Sequence, residues 1–265
     1  MSPIRSLVRP IAVVALLAGC RATPSTSQST DAAAPRVLLV VTSQSTLGPR
    51  PDPTGLYLSE ASHPWRVFSD RGFEILLASP SGGPAPIDPK SVDLADEANR
   101  EFLEAVGVED GSRWRIADTV RLDSIDPSEI DAVFFAGGHG TMWDFPSVPS
   151  VRRVAEDVHR DGGVVAAVCH GPAALVGLVD ASGAPLVAGR RLTAFTDSEE
   201  AAVELTDAMP FLLESRLRDL GARFEGAEDF QAMVVVDERL VTGQNPASAT
   251  GTAVAVADLL GPASP

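Results

Sequence analysis

Apolar residues gather in short runs along this chain, and longer stretches of helical spacing separate them. Arg36-Val37-Leu38-Leu39-Val40-Val41-Thr42, Phe73 to Ala78, Ile130 to Ala136 and Val164 to Val168 are nearly continuous in aliphatic and aromatic residues. That is the pattern of central parallel strands buried on both faces. Residues 56–71, 93–106, 148–160, 210–220 and 247–260 read as helices, with Gly72 closing the first. Arg191 to Phe195 is a further strand, and Ala232 to Val236 with Arg239 to Thr242 form a hairpin around Asp237-Glu238. Strands alternating with helices predict an α/β fold, a mostly parallel sheet covered on both faces. Residues 43–56 are broken by Gly48, Pro49, Pro51, Pro53 and Gly55, and such a loop after a strand often lines an α/β site. The less regular stretch 107–130, after the helix at 93–106, is expected to form a small inserted cap.

One junction carries chemistry. Val164-Val165-Ala166-Ala167-Val168 runs into Cys169-His170-Gly171-Pro172-Ala173-Ala174-Leu175, a buried strand followed by the opening of a helix, with the cysteine on the turn. A sharp strand-to-helix turn lifts one side chain above the sheet, and the unpaired N–H groups of a helix N-terminus favour a thiolate there. A buried structural cysteine beside an incidental histidine accounts for the tripeptide equally well. Upstream, the strand at 130–136 ends in Gly137-Gly138-His139-Gly140. Its glycines permit a tight turn, and beside a nucleophile its N–H groups could form one side of an oxyanion hole.

Composition narrows the setting. The 265 residues are 45% hydrophobic and 5% aromatic, with a formal net charge of −15. A chain this acidic, without a basic run or aromatic-basic interleaving, disfavours nucleic acid and anionic surfaces as partners. Residues 1–20 have another character: Arg5 and Arg9 precede the apolar run Ile11 to Ala18, too short to span a bilayer as a mature helix and typical of an export signal. The run ends in Leu17-Ala18-Gly19-Cys20, which resembles the lipobox of bacterial lipoproteins. Cys20 is therefore the expected lipidation site, residues 21–35 a disordered polar tether, and the folded domain 36–262. The expected location is exported and lipid-anchored, on the periplasmic or extracytoplasmic face. With Cys20 acylated, Cys169 is the only free thiol, and its retention in an oxidising compartment hints at chemistry.

Four segments together resemble the PfpI-like superfamily, relatives of the class I glutamine amidotransferases, in its branch of glyoxalase III and heat-shock chaperones. They are Gly55-Leu56-Tyr57-Leu58-Ser59-Glu60-Ala61-Ser62-His63-Pro64, Phe134 to Pro146, Gly162 to Ala173, and Thr193 to Glu200, with Val241 to Ser248 as a fifth echo. The resemblance implies a flavodoxin-like doubly wound fold over about 36–262. It implies Cys169 as nucleophile, His170 as its triad partner and Glu200 as triad acid, with Asp197 left as the other choice. It also implies Glu60 as a glutamate contacting the nucleophile, and the backbone N–H groups of Gly138 and His170 as the oxyanion hole. Buried against sulfur, Glu60 is expected to stay protonated and act as a hydrogen-bond donor or proton shuttle.

The implied activity is glutathione-independent conversion of methylglyoxal or a related 2-oxoaldehyde to a 2-hydroxy acid, with deglycation of adducts as a relative of it. A redox-sensitive holding chaperone is the alternative. No cofactor and no metal are expected: His63 and His139 are too few and wrongly spaced for a zinc set, though Glu60 and His63 share a helix face at i, i+3. His159 reads as a solvated helix residue. Trp143 and Phe145 read equally as pocket wall or core. A homodimer is left open, and the membrane is approached through the lipid anchor only.

Overall fold

The computed structural model describes residues 33–111 and 113–262; Cys20, the export-signal segment and most of the tether lie outside them. The strands are β1 (Arg36–Val40), β2 (Glu74–Ser79), β3 (Ala85–Pro86), β4 (Gly107–Asp110), β5 (Arg113–Ile116), β6 (Val120–Arg121), β7 (Ala132–Phe135), β8 (Val164–Val168), β9 (Arg191–Leu192), β10 (Arg223–Phe224), β11 (Val234–Asp237) and β12 (Leu240–Gly243). The α-helices are α1 (Ser59–Asp70), α2 (Glu97–Val106), α3 (Thr141–Asp144), α4 (Pro149–Arg160), α5 (Asp197–Ala202), α6 (Leu213–Asp219) and α7 (Ala249–Leu260).

The main sheet has the order β11-β12-β8-β7-β1-β2-β6, parallel throughout except for the β11–β12 hairpin. Its central strands are buried on both faces, and their residues sort by the period of two that a strand imposes. Leu38, Val40, Val133, Phe135, Val165 and Ala167 pack on one side with Val151, Val154 and Val158 of α4. Val37, Leu39, Phe134, Val164, Ala166 and Val168 pack on the other with Phe68 of α1 and Ala253 and Val256 of α7. The mostly parallel sheet expected from the hydrophobic runs is present, covered on both faces as the doubly wound fold implied by the resemblance requires.

Several local expectations need correction. The first helix starts at Ser59 rather than Leu56, because Leu56 is spent on a parallel bridge to Ile87 and its N–H donates to the Pro86 carbonyl. The inserted region is a three-stranded antiparallel sheet, β3-β5-β4, packed with α2. Arg191 to Phe195 is not a strand of the main sheet: only Arg191–Leu192 pairs, with β10, in a separate two-stranded sheet. Beyond Leu192 the chain crosses the end of β8 instead, with the Thr193 N–H on Thr242 Oγ1 and the Phe195 N–H on the Cys169 carbonyl. Gly171–Gly177 after the elbow is a 3-10 helix rather than an α-helix. Phe145 is core, edge-on to Phe135 at 5.5 Å, and the Trp143 indole lies against Gly48 while packing on the same core.

Candidate active site

The C-terminal ends of β7 and β8 meet the N-terminus of α1 at the thiol. Cys169 sits in the left-handed region at φ 59°, where a non-glycine residue is strained and persists only when its surroundings over-determine it. They do so here: its N–H donates to the Gly243 carbonyl at 2.9 Å and its carbonyl accepts from Phe195 N–H at 2.9 Å. The elbow read from the sequence is therefore real, and Cys169 is 3% exposed.

Glu60, in the first turn of α1, is fully buried. Its Oε2 accepts the Gly137 N–H at 2.9 Å, its Oε1 is buried without a hydrogen-bond partner, and the Cys169 thiol lies near enough for each group to influence the other's protonation. The approach depends on Gly137: a Cβ there would stand 2.5 Å from Glu60 Oε2. Gly138, at φ 98°, has no room for a Cβ against the Gly55 carbonyl. Burial pushes the Glu60 carboxyl up to about 8, against the smaller downward pull of the thiol and the Gly137 N–H. Near neutral pH it carries its proton, as expected from the sequence.

The thiol itself departs from expectation. Burial pushes Cys169 well above the ordinary thiol range, the charges of Glu60 and Glu199 push it further, and the His170 N–H acts in the other direction. A short 3-10 helix behind the turn does not overcome that desolvation. The free site holds a neutral thiol beside a neutral carboxyl.

His170 continues the chain of contacts. Its Nδ1 is 3.3 Å from Cys169 Sγ and its Nε2 is 2.7 Å from Glu200 Oε2. Burial, with the neighbouring His139, holds the imidazole below its usual value against the pull of Glu200. Burial alone would raise Glu200, but hydrogen bonds from His139 and His170 outweigh it and hold this carboxylate at about 2. An ionised Glu200 takes Nε2–H from a neutral His170, which assigns the Nδ1 lone pair to the thiol. Thr141 Oγ1 fixes the His170 carbonyl at 3.0 Å, and the Phe195 ring covers the imidazole at 4.5 Å.

Glu200, not Asp197, reaches the site. Asp197 opens α5 facing α6 and accepts from the Ser215 hydroxyl and N–H. The N–H groups of Gly138 and His170 are not spent on backbone acceptors among the described residues, and His170 N–H faces the sulfur.

The DJ-1/PfpI family profile matches residues 54–258, which span all of these groups. The chain belongs to the DJ-1/PfpI family. Its sequence is 34% identical over 215 residues to Glyoxalase 3 of Candida albicans, covering 76% of this chain and 87% of that protein. It is 34% identical over 220 residues to the glutathione-independent glyoxalase HSP31 of Saccharomyces cerevisiae, covering 78% and 90%. Among solved structures, the Rapid Encystment Protein 24 kDa of Francisella tularensis superposes with a TM-score of 0.79 at 38% identity, covering 86% of this chain and 99% of that one. Glyoxalase III of Candida albicans superposes with 0.75 at 34% identity, covering 85% and 97%.

Four site neighbours in this family member were not assigned from its sequence. His139, in the Gly-Gly-His-Gly turn, places Nε2 3.1 Å from Glu200 Oε1, its ring 4.2 Å from that of His170. Glu200 thus bridges two imidazoles. The ligand atoms of His139, His170 and Glu200 lie within 4.8 Å of one another, and hydrogen bonds already join each imidazole to the carboxylate. Glu199 is buried and caps α5 through Thr196; the Thr-x-x-Glu spacing was the signal for it. Tyr57 is half-buried, its phenol pushed up by burial and then by the charges of Glu60 and Cys169. Phe195 is placed only by the long-range pairing of its backbone. His63 turns away from Glu60 to Asp96 Oδ2 at 2.8 Å, so the shared helix face does not form a shared site. His159 is half-buried rather than solvated, and burial lowers its imidazole.

Proposed function

We propose that this protein is a glutathione-independent glyoxalase, converting methylglyoxal or a related 2-oxoaldehyde and water to a 2-hydroxy acid. The observation that carries the reading is the buried elbow thiol set between a protonated Glu60 and the free Nδ1 of His170. The relatives named as glyoxalases support it.

In this reading Cys169 Sγ bonds to the aldehyde carbon C1 as its proton passes to His170 Nδ1, and Glu60 protonates the aldehyde oxygen O1. The product is a hemithioacetal. Glu60, now a carboxylate, removes the proton on C1, the electron pair moving to the ketone oxygen O2 as an enediolate. Glu60 returns that proton to C2 while the O1 proton passes to O2, which leaves a thioester of the 2-hydroxy acid. Water then attacks C1 and gives one proton to Glu60. The C1–S bond breaks, and sulfur recovers its proton from His170. No oxidant or reductant is consumed. A carboxyl near 8 suits a group that must both give and accept a proton close to neutral pH. The N–H groups of Gly138 and His170 are assigned to the developing oxyanion.

The test is incubation with methylglyoxal in the absence of glutathione and assay of lactate. Formation of lactate by the wild type and its absence with Cys169→Ala are expected. No lactate from the wild type would reject the activity.

The cellular setting belongs to the same proposal and rests on sequence alone. Acylation of Cys20 and the polar tether hold the domain on the extracytoplasmic face of a membrane, where aldehydes are met outside the cytoplasm. Cys20→Ser is expected to move the protein out of the membrane fraction; wild-type Cys20 without lipid mass would reject the anchor.

A further inference from the structure

Among the described residues, four non-glycine residues hold positive φ: Cys169, Glu204, Phe230 and Glu238. Glu204 follows the end of α5 and Glu238 sits in the β11–β12 turn, both ordinary places for such a backbone. Cys169 is the elbow. Phe230 remains. Its φ is 61°, in a turn closed by Gln231 N–H on the Glu228 carbonyl at 3.1 Å, where its position ordinarily goes to glycine or asparagine. A bulky residue there is strained.

The strain is held by a buried carboxyl group. Glu199 Oε1 accepts the Phe230 N–H at 2.8 Å and Asn245 Nδ2 at 2.8 Å, and the same Asn245 amide donates to the Gln231 carbonyl at 2.8 Å. What this clamp presents is an apolar ring left 47% exposed. Its centroid is 6.4 Å from that of Phe195, whose own ring lies 4.5 Å from His170 and 6.2 Å from His139. The aromatic row therefore runs from solvent to the imidazole beside the nucleophile. An exposed phenyl ring gains nothing from water, and a clamped one loses little entropy when a ligand covers it.

We propose that Phe230 is the specificity wall of the site and selects 2-oxoaldehydes with an aromatic or bulky apolar substituent over methylglyoxal. The inference rests on the glyoxalase reading for its substrate. The ring of an arylglyoxal packs against Phe230 and Phe195 while its aldehyde reaches Cys169, and a methyl group offers no flat apolar face for that packing.

Two measurements test it on the full chain. The first is kcat/KM for phenylglyoxal relative to methylglyoxal, read as mandelate and lactate. The ratio is expected to fall about tenfold in Phe230→Ala and to stay within about twofold of wild type in Phe230→Tyr, which keeps the ring. Tenfold corresponds to ~1.4 kcal/mol, the scale of one aromatic contact. The second is independent of turnover: the rate of Cys169 alkylation by phenacyl bromide relative to bromoacetone, followed by intact mass. There the sulfur displaces bromide from carbon in both reagents, and only the substituent differs. The wild-type ratio is expected to exceed that of N-acetylcysteine and to drop in Phe230→Ala. Equal ratios in wild type and Phe230→Ala in both measurements would overturn the wall, as would a fall in Phe230→Tyr as large as in Phe230→Ala. If wild type forms neither hydroxy acid, the glyoxalase reading fails and the alkylation ratio still decides the wall. Should Phe230→Ala lose its fold by circular dichroism, Phe230→Leu carries the same two measurements.

Discussion

Glu60 and Glu200 stand on opposite sides of the Cys169–His170 pair, both buried, and they hold opposite charge states. Glu60 meets one backbone N–H and a thiol, neither of which offsets its loss of water, so its carboxyl rises to about 8. Glu200 pays a desolvation penalty too, yet two imidazole N–H groups hold it at about 2. The number and kind of donors, not burial, decides which carboxyl is ionised. The division suits the proposed chemistry: one glutamate moves protons, and the other fixes the imidazole that takes the thiol proton.

Substitutions can break this contrast at either end. The largest effect is expected from Glu60→Gln, which keeps a hydrogen-bonding side chain of similar size but cannot shuttle a proton. Turnover should fall ~10²–10⁴-fold, with Cys169 still open to alkylation; turnover equal to wild type would reduce Glu60 to a packing role. Glu200→Gln should lower kcat by ~10–100-fold, because an amide can still accept Nε2–H but no longer stabilises the imidazolium. An unchanged kcat would remove Glu200 from the proton-transfer chain.

Stability should respond to pH in opposite senses at the two sites. A carboxyl raised in the folded state contributes stability below its unfolded value near 4.5, and that contribution is lost as pH rises through about 8. Glu60→Gln should therefore gain on wild type between about pH 5 and 8, by at most ~1.4 kcal/mol per pH unit, read from denaturant unfolding at each pH. Glu200 is lowered, so its contribution is present above about 4.5 and is lost as pH falls toward about 2. Glu200→Gln should then lose most, relative to wild type, at neutral pH and least in acid. Parallel pH profiles for the two variants would contradict the assigned charge states. The smallest effect is expected from Asp197→Asn, whose carboxylate serves Ser215 on α6: kcat/KM should stay within about twofold, and a loss as large as that of Glu200→Gln would reverse the choice between them.

Much of this was legible along the chain, for reasons that are local. Strands buried on both faces must be continuous in apolar residues, so Val37 to Val40, Phe134 to Phe135 and Val164 to Val168 announced the parallel sheet. A strand ending in Cys-His-Gly-Pro announced the elbow, since the turn needs a small residue after it and proline opens the next helical segment. The resemblance of four segments to one family, rather than any spacing, implied that Glu60, Cys169, His170 and Glu200 belong together.

Other features depend on groups far apart in the chain, and no local pattern encodes them. The thiol was expected to be acidic from the turn alone, whereas burial first, and then the neighbouring Glu60, 109 positions earlier in the chain, push it upward. His139 acquired a role only when β7 and α5 brought it to Glu200 across 61 residues. Glu199 and Glu200 are adjacent and chemically identical in sequence; the helix rotation between them sends one to Asn245 and Phe230 and the other to the two histidines. Sequence by itself determined the fold class and the elbow that carries Cys169, because periodicity and turn chemistry act over a few residues, while the partners of that cysteine were implied only by the resemblance of several segments to one family. The tertiary structure alone decided which carboxyl is charged, which histidine shares it and which aromatic ring faces the solvent, because desolvation and hydrogen bonding are set by whatever the fold packs alongside.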